Sequence, residues 1–326
     1  MQTLIDLLYL AGGLVALYFG AEVLIKGSVN LALRLGLSPL LVGLTVVAFG
    51  TSAPELVVCL NAVLQDKPDL AVGNVVGSNI CNIGLILGVG ALVRPMIIKV
   101  QVIKQDAPLL LLFTGIFIAM MSDRVLARWE GAVLVGLLFA YLAGRFLQAR
   151  KEEDPDVLVE FEDAVGGGQA GGDGDTKPAM TVWRSVLMVV VGMVLLVKGA
   201  DFLIIGGVNL ARQFGVSEAV IGLSLVAVGT SLPELATSIV GALRRQGDIV
   251  TGNAIGSCIF NLLCVMGTTA LVRPIAPEGV RWLDFGVMAG FSVLILPMFM
   301  SQKRLARWEG VFLLVLYAGY CLTLLR

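Results

Sequence analysis

The sequence contains no histidine among its 326 residues, and only 14% of its residues are charged. The lack of histidine excludes histidine-ligated zinc sites and histidine general bases. A typical soluble domain carries about 25% charged residues. The scarcity of charge, together with a hydrophobic content of 57%, therefore predicts an integral membrane protein and not a soluble enzyme. The net charge of −1 provides no basic excess for a nucleic-acid partner.

The five cysteines form no Cys-x-x-Cys pair, and all of them fall in apolar segments. We interpret them as small hydrophobic residues in helix packing. The apolar runs are long and show no alternation with a period of two, which favours membrane-spanning helices over a β-barrel. The N-terminal run lacks a basic leader and a cleavage site, and it contains Asp6, so we expect a retained first span.

The chain repeats itself at a constant offset of 179 residues. GLTVVAFGTSAPEL at 43–56 and GLSLVAVGTSLPEL at 222–235 share ten of their fourteen residues. GNVVGSNICNIGLILG at 73–88 likewise matches GNAIGSCIFNLLCVMG at 252–267. An internal repeat of this kind indicates two structurally similar halves.

We divide the chain into a first half (1–148), a linker (149–181) and a second half (182–326). Each half has five apolar runs that could cross a bilayer core of about 30 Å. The predicted spans are 4–25, 38–63, 70–93, 106–122, 129–148, 182–204, 217–243, 249–272, 283–300 and 308–325. Because five is odd, the second half must enter the membrane from the opposite side. The predicted fold is all-α, with ten transmembrane helices in two inverted five-helix repeats.

The linker between the halves is acidic and rich in glycine. Residues 151–178 hold nine of the chain's 24 acidic residues. This composition is typical of a flexible, solvated loop, and it lacks the spacing of an EF-hand calcium loop. With the N-terminus outside, fifteen lysines and arginines would lie on the cytoplasmic side and eight on the outer side. The positive-inside rule therefore predicts an inner or plasma membrane protein with both termini outside.

Glu55 and Glu234 stand at equivalent positions deep in apolar segments, within GTSAPEL and GTSLPEL. An acidic residue inside the membrane is a candidate functional residue, and neither segment offers a lysine or arginine to neutralise it. The proline before each glutamate lacks an N–H, so the carbonyls of Gly50 and Gly229 lose their helical partners. Freed carbonyls at membrane depth need protein, water or an ion as a partner.

Further oxygen atoms surround these glutamates in the sequence. They belong to Thr51, Ser52, Thr230 and Ser231 and, in the second motifs, to Ser78, Asn79, Asn82, Ser257 and Asn261, with Cys258 at the position equivalent to Asn79. A set made only of oxygens suits calcium, magnesium, sodium or protons, and not soft metals. A purely structural interpretation, in which proline and hydroxyl residues only kink packed helices, is the alternative. Glu22 and Asp201, a second equivalent pair, are weaker candidates because they could face water near the ends of spans.

GTSAPEL with GSNICN, and GTSLPEL with GSCIFN, resemble the α-repeats of sodium/calcium exchangers in the cation/calcium exchanger superfamily. The resemblance covers nearly the whole chain and implies the ten-helix fold of the prokaryotic type. It implies that the second, third, seventh and eighth helices form the ion site. The first and sixth helices would slide across them during alternating access. We expect no cofactor besides the transported ions, and a monomer is the simplest assembly.

The resemblance also implies roles for individual residues. Glu55 and Glu234 would bind calcium, helped by the backbone carbonyls of Thr51 and Thr230. The sodium sites would be completed by Ala48, Ala227, Ser52, Ser231, Ser78 and Ser257, and Asn82 would line the centre. Many family members have an aspartate where this chain has Asn261, which leaves the stoichiometry and the potassium dependence open.

The predicted function is a secondary antiporter that exchanges sodium for calcium. The proton-coupled branch of the superfamily typically has Gly-Asn-Ala before the glutamate, so Gly-Thr-Ser favours sodium here. The alternatives are a proton-coupled antiporter of calcium or another divalent cation, a passive cation channel, and a membrane scaffold that transports nothing.

The predicted orientation can be tested by labelling single cysteines in a cysteine-free variant. Gly171→Cys, in the linker, should react with a membrane-impermeant maleimide in inside-out vesicles and stay unlabelled in intact cells. Glu278→Cys, in a loop predicted to lie outside, should show the opposite behaviour and serves as the matched control. Labelling of position 171 in intact cells would contradict the predicted orientation.

Overall fold

The computed structural model describes residues 2–149, 180–214, 229–301 and 303–324, and almost all of these residues are helical. Among them, seven helices are long and apolar enough to cross a membrane. The number rises to eight if the bent pair of helices at 40–51 and 53–64 forms one span. The prediction of a helical protein with many membrane spans is therefore confirmed.

The described helices do not confirm the predicted count of ten spans. The apolar helix Leu232–Leu243 has only 12 residues, and its predicted span 217–243 begins within residues 215–228, outside the described ranges. The last helix, Arg307–Leu324, has 18 residues and begins with two charged residues in its first turn. Residues 150–179, which make up most of the predicted linker, also lie outside the described ranges.

The first half consists of eight helices and one short strand. These are α1 (Gln2–Leu35), α2 (Pro39–Val42), α3 (Ala48–Thr51), α4 (Ala53–Leu64), α5 (Pro68–Cys81), α6 (Gly88–Val93), β1 (Met96–Ile97), α7 (Ala107–Met120) and α8 (Arg128–Ala149). A 3₁₀ turn, Met121–Asp123, extends α7. Wider π-helical turns join some of these helices or precede them. They are Gly43–Val47 between α2 and α3, Asn82–Leu87 between α5 and α6, and Val102–Asp106 before α7.

The described part of the second half repeats much of this arrangement. Its elements are α9 (Val182–Gln213), α10 (Leu232–Leu243), α11 (Gly247–Phe260), α12 (Met266–Val272), α13 (Trp282–Met300), β2 (Arg304–Leu305) and α14 (Arg307–Leu324). The π-helical segment Asn261–Val265 joins α11 to α12, as its equivalent joins α5 to α6.

The helices α1 and α9 continue beyond the predicted spans 4–25 and 182–204 by about ten residues at their C-terminal ends. At about 1.5 Å per residue, α1 extends for about 50 Å, which exceeds a bilayer core of about 30 Å. Such a helix has to tilt or to project from the core. α1 continues past Lys26, the charged residue that follows the predicted span. Lys26 Nζ lies 2.7 Å from Glu22 Oε1 one turn earlier, and this ion pair compensates its charge within the helix.

Glycines spaced seven residues apart allow α1 and α9 to cross closely. They are Gly13, Gly20 and Gly27 in α1, and Gly192, Gly199 and Gly206 in α9. A Cβ atom at Gly13 would lie 2.8 Å from the carbonyl oxygen of Gly199. A Cβ atom at Gly192 would lie 2.6 Å from the backbone nitrogen of Leu24. Small residues are therefore required where the two backbones meet.

Glycines also connect each half to the last helix of the other half. Gly131 of α8 faces Gly267 of α12, and a Cβ atom on Gly131 would lie 2.7 Å from the carbonyl oxygen of Gly267. Gly310 of α14 has the same relation to Gly88 of α6, also at 2.7 Å. Both Gly131 and Gly310 end a copy of the sequence LARWEG, so the repeated sequence makes a repeated contact.

Short backbone pairings join loops of opposite halves. Strands β1 and β2 are antiparallel, with Met96 opposite Leu305. The residues at the equivalent positions, Leu126 and Ile275, form an isolated bridge. The candidate span 102–123 separates residue 96 from residue 126, so the two pairings lie at opposite faces of the helical bundle. We call the face with Leu126 and Ile275 the first face, and the face with Met96 and Leu305 the second face.

Ion pairs between the halves follow the same division. At the first face, Arg273 Nη2 lies 2.7 Å from Asp66 Oδ1. At the second face, Lys99 Nζ lies 3.1 Å from Asp248 Oδ2. Each face thus gathers loops from both halves, and the loops that correspond in sequence lie on opposite faces.

The close crossing of α1 and α9 predicts a steric effect on stability. Gly192→Ala should destabilise the protein by about 1–3 kcal/mol, since the added methyl group has to push backbone apart. Gly136→Ala in α8 is the matched control, because nothing lies within 4 Å of its added Cβ atom. Alanine is the better helix former, so the control should be neutral or slightly stabilising. Thermal unfolding in detergent compares the two, and equal melting temperatures would contradict the prediction.

Candidate cation-binding site

Each repeat breaks its helix at the serine of the Gly-Thr-Ser sequence. Ser52 adopts φ −84° and ψ 1° between α3 and α4, and the chain bends there by 41°. Ser231 adopts φ −90° and ψ 5° before α10 begins. Proline occupies the first turn of both following helices and has no N–H to continue the preceding one. The sequence-based prediction of a proline break thus holds in the first repeat. In the second repeat the following helix begins at the equivalent position, and residues 215–228 before it lie outside the described ranges.

The breaks place Glu55 and Glu234 in the first turns of α4 and α10, where both side chains are fully buried. The two glutamates come from opposite repeats, and each has a hydroxyl-bearing residue of the other repeat beside it. Ser52 Oγ of the first repeat lies 3.4 Å from Glu234 Oε1. Thr230 of the second repeat lies beside Glu55, although it makes no hydrogen bond of normal geometry to it. Each repeat thus sets a hydroxyl group against the carboxylate of the other.

Several buried oxygens at this site have no hydrogen-bond partner among the described residues. They are both carboxylate oxygens of Glu55, Oε2 of Glu234, and the side-chain oxygens of Asn82 and Asn261. Leaving one such group unpaired costs about 1–3 kcal/mol. In the described ranges no basic side chain approaches either glutamate. A cation bound between the carboxylates would stabilise the glutamate oxygens in place of a hydrogen-bond donor.

Asn82 and Asn261 are the first residues of the π-helical segments that follow α5 and α11. Both side chains are buried, and Asn82 lies beside Cys258 of α11. Such π-helical turns are frequent at functional sites because they shift the backbone hydrogen bonds by one residue. The sequence did not reveal them, since no residue pattern in these apolar segments separates a π-turn from an α-turn.

Two asparagines that the sequence analysis did not select connect the repeats. Thr51 Oγ1 donates to Asn253 Oδ1 at 3.1 Å, and Thr230 Oγ1 donates to Asn74 Oδ1 at 3.3 Å. Asn74 and Asn253 are equivalent residues, so the same bond is made in both directions. The signal was present, because both precede the chosen serines Ser78 and Ser257 by one helical turn and share their helix face.

The chain of hydrogen bonds through Asn253 continues to the neighbourhood of Glu234. Asn253 Nδ2 donates to Thr237 Oγ1 at 3.1 Å. Thr237 Oγ1 in turn lies 2.9 Å from the backbone oxygen of Glu234 and 3.0 Å from that of Pro233. The bend of the first repeat is thereby connected to the bend of the second repeat.

The remaining predicted residues are placed as follows. Ser257 Oγ lies 3.4 Å from Thr51 Oγ1, and Ser231 Oγ lies 3.5 Å from Ser78 Oγ. Ala48 is buried at the start of α3, and its backbone oxygen accepts a hydrogen bond from the N–H of Ser52 at 3.0 Å. Ala227 lies outside the described residues.

The structure removes Glu22 and Asp201 from the candidate set. Glu22 forms ion pairs with Lys26 and with Arg244 at the end of α10. Asp201 is half-exposed and pairs with Lys198 at 3.2 Å. Their charges are already compensated by basic side chains, so a cation has no need of them.

Two other acidic residues, Asp6 and Asp106, are also fully buried. Asp6 accepts hydrogen bonds from Asn209 Nδ2 at 2.9 Å and from Gln213 Nε2 at 2.7 Å. Asp106 lies 3.3 Å from the guanidinium of Arg145. Their partners lie far away in the sequence, and both acids join helices within the fold.

The two glutamate-bearing helices are covered to different extents. On α10, Val240 is only 4% exposed and packs in a cluster with Ile25 of α1. At the equivalent position of α4, Asn61 is exposed, and nearby Val57 is 57% exposed. α9 does not pack along α4 in the way that α1 packs along α10. At about 100° per residue, Val57 and Asn61 lie on the face of α4 opposite Glu55, so this less covered face is not the one that carries the glutamate.

Membrane-spanning helices that enclose an oxygen-lined pair of carboxylates define an integral membrane cation transporter. The family model of the sodium/calcium exchanger protein matches residues 5–147 and 184–326 of the chain. The chain therefore belongs to the sodium/calcium exchanger family, which is a family of transporters and not of enzymes. The resemblance seen in the sequence motifs is confirmed.

The relatives match over nearly the full length. The chain is 36% identical to "Putative antiporter CaxA" of Alkalimonas amylolytica over 97% of this chain and 98% of that protein. It is 32% identical to "Sodium/calcium exchanger MaX1" of Methanosarcina acetivorans over 98% of both proteins. A solved structure of the sodium-calcium exchanger NCX_Mj, soaked with zero Na⁺ and Ca²⁺, matches with a TM-score of 0.81 and 29% identity over 99% of both chains.

The connection between the two bends predicts a stability effect at Thr237. Thr237→Val should destabilise the protein by about 1–3 kcal/mol, because the buried amide N–H of Asn253 loses its acceptor. Thr237→Ser keeps the hydroxyl group and should stay closer to the parent protein. Thermal unfolding in detergent without added calcium separates the two variants. A valine variant as stable as the serine variant would show that this hydrogen bond contributes little.

Proposed function

We propose that this protein is a secondary antiporter that moves calcium in one direction and sodium in the other. The observation that carries the proposal is the buried pair Glu55 and Glu234: among the described residues, three of their four carboxylate oxygens lack a donor and neither carboxylate has a basic partner. Two carboxylates balance the charge of one calcium ion, and their oxygens are ligands that calcium prefers.

The proposed ligand sets overlap. Calcium would be bound by the carboxylates of Glu55 and Glu234 and by the backbone carbonyls of Thr51 and Thr230. The sodium sites would use oxygens of Ala48, Ala227, Ser52, Ser231, Ser78 and Ser257, with Asn82 and Asn261 lining the centre. Because shared oxygens cannot serve both ions at once, each ion would displace the other.

We further propose that the chain has ten spans in two inverted repeats, with both termini outside and the linker in the cytoplasm. Support comes from the loops, since corresponding loops of the two halves lie on opposite faces.

Gradient-driven flux tests the exchange. Purified protein in liposomes loaded with sodium should take up radioactive calcium when external sodium is removed at equal pH. Uptake driven by a pH gradient and indifferent to sodium would replace the proposal by proton-coupled antiport. Calcium flux that persists with no counter-ion gradient would indicate a channel.

Substitution of the carboxylates tests the site itself. Glu55→Gln and Glu234→Gln should each weaken calcium binding at least about 100-fold. The reason is that removing one partner of a buried charge interaction costs about 3–5 kcal/mol. Asp201→Asn is the matched control, since its carboxylate is half-exposed and pairs with Lys198. Isothermal calorimetry in detergent measures all three variants. Unchanged calcium affinity in both glutamine variants would exclude this site.

A further inference from the structure

Asn79 lies on α5, fully buried, and its side chain spans the interface with α11. Its Nδ2 donates to the backbone oxygen of Cys258 at 3.4 Å, and it lies 3.8 Å from the sulfur of Met288. Its Oδ1 accepts from Asn261 Nδ2 at 3.1 Å. A backbone oxygen can only accept hydrogen bonds, so Cys258 determines which end of the Asn79 amide faces it.

The orientation of Asn79 determines the orientation of Asn261 in turn. Since Asn79 presents an oxygen, Asn261 has to present its amide nitrogen. The Oδ1 atom of Asn261 is then directed away from Asn79, and it is buried without a donor among the described residues. Two successive hydrogen bonds therefore leave an oxygen, and not an N–H group, available to a ligand.

The other half has no equivalent arrangement. The residue that corresponds to Asn79 is Cys258, whose thiol lies 3.8 Å from the backbone oxygen of Asn79. Asn82, which corresponds to Asn261, has neither amide atom in a hydrogen bond among the described residues. Only the asparagine of the second repeat is held in a defined orientation.

We propose that Asn79 is a positioning residue that keeps the side-chain oxygen of Asn261 directed to the cation site. The inference rests on the proposed function, because it assigns the orientation of one ligand in that site. A rotated Asn261 amide would present two N–H groups to the cation and repel it. Asn79 would thus keep Asn261 an oxygen ligand, so that the site does not need a third acidic residue at position 261.

The test is a double-mutant cycle in which the second substitution makes orientation irrelevant. Asn79→Leu removes both hydrogen bonds and keeps a similar volume. Asn261→Asp supplies two equivalent oxygens, which need no orientation. We expect Asn79→Leu to weaken calcium binding by about 10- to 100-fold in the parent protein, the range for losing one contact to a charged group. In the Asn261→Asp background the same substitution should not weaken binding, because a carboxylate gains no hydrogen bond from the Asn79 oxygen that faces it.

Calcium and sodium binding to all four proteins is measured by isothermal calorimetry, with thermal unfolding to establish that each variant is folded. An equal loss of affinity in both backgrounds would show that Asn79 acts through packing alone and would overturn the inference. An unaffected Asn79→Leu single variant would do the same, while the proposed function would stand. A parent protein that binds neither cation would overturn the proposed function and this inference with it.

Discussion

The burial of two like charges beside each other is the constraint on which the rest of this structure depends. Glu55 and Glu234 come from different repeats, and no basic residue approaches them in the described ranges. The helix breaks before each proline position both side chains, and the hydroxyl groups of Ser52 and Thr230 lie beside the carboxylate of the opposite repeat. Each of these local features is costly for a helix in a membrane, and a bound cation makes them consistent with one another.

Chemistry confined to a short stretch of sequence was predictable. The repeat at an offset of 179 residues identified the paired glutamates, Pro54 located the helix break of the first repeat, and Pro233 located the start of α10. Features that depend on partners far away in the sequence were not. Glu22 was a candidate ligand in the sequence because nothing near it reveals its ion pair with Arg244, which lies far away in the chain. Asn253 shares a helix face with Ser257 and could have been selected, but its hydrogen bond to Thr51 of the other repeat could not be predicted. The π-helical segments carry no sequence signal at all.

Similar sequences do not make the two halves equivalent in structure. α1 packs along α10 and is joined to its end by the ion pair of Glu22 with Arg244. The equivalent acidic residue, Asp201, pairs within its own helix instead. The glycines spaced seven residues apart in α1 and α9 meanwhile allow these two helices to pack closely against each other. A small number of unmatched side chains is therefore enough to make one repeat more enclosed than the other.

The pairing of β1 with β2 has a consequence for the order in which the molecule can be completed. Met96 of β1 is synthesised about two hundred residues before Leu305, its partner in β2. β1 therefore stays unpaired until the end of the chain has been made. Gly88 of α6 likewise has no packing partner until Gly310 of α14 has been synthesised. During translation the first repeat can insert into the lipid, but it cannot yet form its contacts with β2 and α14. The last twenty or so residues, which form β2 and α14, complete the packing of both halves. A chain truncated before them would therefore leave β1 and α6 of the first half without these partners.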